Sequence, residues 1–65
     1  MMSIFTQSYI MYNNKKIFLN TNYNELKRKM NDSKSVIEVE VSSLIIDKRA
    51  TFRKDNISRY GEAGI

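Results

Sequence analysis

The sequence predicts a small α+β fold: an antiparallel sheet from two β-hairpins, with one short helix between them packed on one face. Three observations predict it. Two β-branched and aromatic runs, Tyr9 to Tyr12 and Lys15 to Leu19, flank the dipeptide Asn13-Asn14. Tyr23, Leu26 and Met30 then recur at i, i+3 and i+7, one stripe of a helix. Finally Ile37, Val39 and Val41 alternate with Glu38 and Glu40, the period of a half-buried strand.

In the first hairpin, Asn-Asn suits a two-residue turn with φ > 0 at both positions. That turn sets Ile10 opposite Ile17 and Tyr9 opposite Phe18, both favourable cross-strand pairs. Ile10, Tyr12, Ile17 and Leu19 share one face, while Tyr9, Met11 and Phe18 share the other. Two apolar faces imply that the second is covered, by the N-terminal segment with Ile4 and Phe5 or by another subunit. In the helix, Asn22 followed by Glu25 has the spacing of a capping box, and Asn31 and Asp32 mark the end. About nine residues are too few to persist in isolation, so the stripe must pack on the sheet. Glu25 can pair with Arg28 and Lys29 across the solvent face, which makes the Lys-Arg-Lys run at 27–29 a solvated face before it is an anion site.

For the second hairpin, a turn at Asp47-Lys48 is preferred to one at Ser42-Ser43, because it keeps one long alternation on each arm. Ile37, Val39, Val41 and Ile45 then face inward with Ala50 and Phe52. Leu44 and Ile46 fall on the outer face, where paired hydrophobes suggest an interface. Arg49, Thr51 and Arg53 lie outside beside Glu38 and Glu40, so the basic and aromatic segment RATFRKDNISRYGE gives its Phe52 to the core. In the tail, Asp55 either caps a single helical turn closed by Gly61 or opens a last short strand. Either way Ile57 and Tyr60 anchor it and Arg59 points out.

A chain of 65 residues allows one domain, 1–65, with a marginal core. Small domains usually add disulfides, a metal or a partner subunit. With neither Cys nor His in the sequence, the remaining routes are self-association or an unusually well-packed core, and a homo-oligomer is expected. The same absence removes the usual general bases, thiol nucleophiles and transition-metal ligands. No Gly precedes position 61, so no Gly-rich phosphate loop exists. Glu38 and Glu40 alone are too few oxygens for a hard cation. The expectation is a non-enzyme with no cofactor and no metal.

Eleven basic residues face seven acidic ones, a net charge of +4, which favours acidic partners. No apolar run approaches the ~18 residues of a membrane span, and the first residues lack the pattern of an export signal. A cytoplasmic protein is expected. The wealth of Asn, Lys and Ile, residues with AT-rich codons, points to a low-GC bacterium or its phage.

The leading expectation is therefore a small self-associating protein that covers a site on another protein, a phage or mobile-element inhibitor of a host defence protein being one form of it. Lys15, Lys16, Arg49, Arg53, Lys54 and Arg59 are the expected partner or anion contacts. Tyr9, Met11, Phe18, Leu44 and Ile46 are the expected oligomer interface. Two alternatives use the same residues: a basic nucleic-acid-binding regulator, and an oligomer that sequesters an anionic nucleotide between subunits.

Overall fold

A computed structural model describes residues 7–42 and 48–63. The elements run β1 (Ser8–Tyr12), β2 (Lys15–Leu19), α1 (Tyr23–Met30), β3 (Val36–Val41), β4 (Lys48–Arg53), a 3-10 turn (Lys54–Asn56) and β5 (Ile57–Glu62). They form one five-stranded antiparallel sheet in the order β4-β3-β2-β1-β5. The α+β class is as expected, and a fifth strand joins the two hairpins.

The first hairpin has the expected register, with Ile10 opposite Ile17 and Tyr9 opposite Phe18. Asn13 and Asn14 have φ of 50° and 67°, the left-handed pair that a tight hairpin turn requires. Ile10 and Leu19 are fully buried, and Tyr12 and Ile17 pack against them.

The connection into the helix is fastened on two sides. The Ser8 hydroxyl, itself buried, donates to the Thr21 carbonyl at 2.6 Å. The Glu40 N–H donates to the Thr21 hydroxyl at 3.2 Å, so the link carries few unmet polar groups inward. At the helix start, the Asn22 side chain accepts from the Asn24 N–H at 2.8 Å. The reciprocal half of the expected capping box is absent: the Glu25 carboxylate faces Arg28 at 3.5 Å. An exposed carboxylate is drawn to a full charge one turn along more than to a single backbone dipole. Leu26 is buried, Tyr23 and Met30 are half-buried, and Asn31 caps the end through its own N–H and side chain to the Lys27 carbonyl.

The second hairpin corrects the expected register. Val41 pairs with Lys48, Val39 with Ala50 and Ile37 with Phe52. Lys48 is thus the first residue of β4 rather than part of a turn, and β3 stops at Val41. Alternation fixes which face a residue takes, but any even shift keeps the faces. The observed register sets Phe52 against Ile37 in the core and Arg49 against Glu40 outside. Residues 43–47, including Leu44 and Ile46, lie outside the described residues.

After β4 the chain makes a single 3-10 turn and then a strand, so both readings of the tail hold in part. Asp55 lies inside the turn and is not its cap, and Gly61 lies within β5 instead of closing the turn. β5 pairs with β1, with a bulge at Ser58 between the Met11–Arg59 and Tyr12–Ile57 pairs.

The sheet is strongly coiled. Laid flat, five strands would hold their two edges about 19 Å apart. The 3-10 turn that joins edge strand β4 to edge strand β5 advances only about 2 Å per residue. The edges must therefore curl toward each other, and the Tyr12 and Phe52 rings meet edge-to-face across the interior at 4.9 Å. β2 and β3 meet at one bridging pair, Leu19 and Val41. Ile10, Leu19, Leu26, Ile37, Val39 and Phe52 fill the space enclosed.

Candidate functional site

Because β1 lies between β2 and β5, their registers lay side chains in rows across three strands. One row is Lys16, Met11, Arg59; the next is Phe18, Tyr9, Gly61. Both rows lie on the side of the sheet away from Ile10 and Tyr12. Tyr9, Met11 and Phe18 are half-buried, and none of them belongs to the core cluster. The sequence placed these three residues on a second apolar face, and the structure brings them together there.

Two contacts shape this face. The Lys16 ammonium stands 4.8 Å from the Tyr9 ring centre and 6.0 Å from that of Phe18, a cation–π arrangement worth ~0.5–1 kcal/mol at an exposed site. The Tyr9 ring reaches over Gly61, where a Cβ would meet Tyr9 Cε1 at 3.0 Å and the phenolic oxygen at 3.1 Å. Gly61 has no positive φ, so close approach is what glycine provides there. Tyr9 thus touches the Gly61 backbone at its phenolic end and the Lys16 ammonium at its ring.

The six expected contact cations separate into two groups. Arg49 lies 3.5 Å from Glu38 and 3.9 Å from Glu40. Arg53 pairs with Asp55 at 3.9 Å, and not with the β3 glutamates, because its cross-strand neighbour is Val36. Lys54 is largely buried at its side chain and donates to the Asp32 carboxylate at 2.7 Å and to its carbonyl at 2.9 Å. This contact holds the Asp32 carboxyl below the usual carboxylate range, helped by the Lys34 N–H. Lys54 is a structural tie between the loop after α1 and the 3-10 turn. Lys15, Lys16 and Arg59 are exposed and form no ion pair among the described residues. Lys16 and Arg59 flank Met11 on one face, with backbones two strand spacings apart, about 10 Å. The one carboxylate of β5, Glu62, pairs with Ser8 and so belongs to the opposite side of the sheet.

On the other half of the sheet the glutamates of β3 are paired with Arg49. A polar cleft between the helix start and β3 is lined by Glu25, Lys29, Glu38, Glu40 and Arg49 among others. Its carboxylates already face arginines, and no group of acidic residues among the described residues could hold a metal ion. No helix among the described residues is long and apolar enough to cross a membrane.

Sequence reasoning missed the contact of Tyr9 with Gly61 and the tie between Asp32 and Lys54. A glycine inside a strand is the signal for the first, since it often marks close approach. Nothing in the local sequence signals the second, whose partners are 22 positions apart. The chain matches no known family model, no curated protein and no solved structure.

Proposed function

We propose that this chain is a non-enzymatic binding protein whose working surface is the outer face of β2, β1 and β5. The observation that carries the reading is the half-buried set Tyr9, Met11 and Phe18, continuous across strands and outside the core. Contiguous apolar area rimmed by charge is the usual mark of a protein-docking surface. The AT-codon-rich composition supports a phage- or mobile-element-encoded inhibitor of a host defence protein, acting in the host cytoplasm.

Self-association through the same face belongs to the proposal, with a condition. A two-fold contact places each residue near its own copy, so Lys16 and Arg59 of both copies would meet. Such a dimer strengthens as salt screens the repulsion. The test is a Met11→Ser/Phe18→Ser variant, checked for folding by circular dichroism. It should remain monomeric by light scattering, and should no longer retain partners that the wild type retains from a host extract. A folded variant that retains the same partners and assembles equally well overturns the reading.

Lys15, Lys16 and Arg59 also support the alternative of a nucleic-acid-binding regulator. That reading requires affinity for mixed oligonucleotides that falls steeply with salt. Sequestration of a nucleotide between subunits instead requires thermal stabilisation by mononucleotides alone.

A further inference from the structure

We infer that the partner of the β2-β1-β5 face is an acidic protein surface, whose carboxylates meet Lys16 and Arg59 while apolar side chains between them cover Met11 and Phe18. The inference rests on the docking role proposed for this face and names the chemistry of its occupant.

Charge complementarity selects the occupant. Lys16 and Arg59 stand at the two ends of one row with Met11 between them. No carboxylate lies on this face of the three strands: the glutamates of β3 face Arg49, Asp55 faces Arg53, and Glu62 takes the other side of β5. A pair of cations with no carboxylate partner among the described residues, bordering an apolar patch, steers an acidic partner and rejects a basic one. It also opposes a second copy of this chain, which would present the same two cations.

Ring geometry decides between an acidic protein and a single-stranded nucleic acid. Sequence-tolerant binding of single strands stacks bases on open aromatic faces. Tyr9 is a poor platform, because the Lys16 ammonium already stands over its ring and the Gly61 backbone crowds its phenolic end. A base would have to displace Lys16 from both Tyr9 and Phe18. A carboxylate approaches Lys16 where it stands, and the side chain keeps its ring contacts.

The experiment measures fluorescence anisotropy with three labelled probes: a short peptide of alternating Glu and Leu, its counterpart with Gln for Glu, and a single-stranded oligothymidylate. The Glu peptide should bind about ten-fold more tightly than the Gln peptide, and the advantage should shrink as salt rises. Lys16→Glu/Arg59→Glu should abolish that advantage, and Arg49→Ala/Arg53→Ala should preserve it, both variants remaining folded by circular dichroism. Equal binding of the two peptides, lost in Met11→Ser/Phe18→Ser, sinks the acidic partner but keeps the docking face. Tighter binding of the oligothymidylate, lost in Lys16→Glu/Arg59→Glu, replaces the inference with a nucleic-acid site. Failure of the Glu peptide to bind overturns the inference, and the light-scattering and retention tests then judge the docking role alone.

Discussion

The tie between Asp32 and Lys54 shows how a single residue can be misassigned by charge. Lys54 sits in a basic segment, yet its ammonium is directed inward to the loop after the helix. Asp32 has its folded pKa below the ordinary value, through the Lys54 hydrogen bond first and the Lys34 N–H second. The pair's stabilisation is therefore complete above the unfolded carboxylate pKa, about 3.9. It is lost as pH falls through the lower folded value. In Lys54→Met, the fall in urea midpoint on acidification below that point should be shallower than in the wild type. An unchanged acid limb would show that the pair contributes nothing to stability. Gly61 supplies a second residue-scale prediction. Gly61→Ala should displace the Tyr9 ring, since the added Cβ falls 3.0 Å from it. The aromatic NMR shifts of Tyr9 and the Nζ environment of Lys16 should change together while the fold persists.

Among the elements, the first hairpin and the helix were legible because their signals are local. Asn13-Asn14 dictates the turn, the turn dictates the register, and both strands follow from it. Asn14→Val should cost about 1–2 kcal/mol, because a branched side chain resists the left-handed conformation. Asn14→Gly should cost nothing, and thermal midpoints separate the two. β5 was ambiguous for a physical reason. Ile57 and Tyr60 both serve the interior, as partners of Tyr12 and Ile10, yet they are three positions apart. In an unbroken strand such residues face opposite ways; the bulge at Ser58 restores their common side. From sequence, that spacing reads equally well as a helical turn. The second hairpin's faces were legible and its register was not, since Phe52 points inward in every even shift. The site was legible as two separate pieces, the first hairpin with Tyr9, Met11, Phe18 and Lys16, and Arg59 of the tail. Their juxtaposition needed the β1–β5 pairing, which leaves no local trace.

On the scale of the whole molecule, Phe52 joins the two halves of the coiled sheet, touching Tyr12 of β1 from β4. Phe52→Ala should cost ~3–5 kcal/mol, a large share of what a domain of this size has in total, and should abolish cooperative thermal unfolding. Arg49→Ala/Arg53→Ala should leave the midpoint nearly unchanged, since exposed pairs contribute only ~0–1 kcal/mol. The β1–β5 pairing has a further consequence, in time rather than in space. β1 is the first strand described and β5 the last, and much of the sheet's cohesion lies between them. Non-local pairing of this kind slows folding toward milliseconds or longer. During synthesis, β1 has its hairpin partner early, but its other edge stays open until β5 has left the ribosome. For that interval the edge is available to any extended chain nearby, and the nascent protein depends on its own elongation rate to claim it.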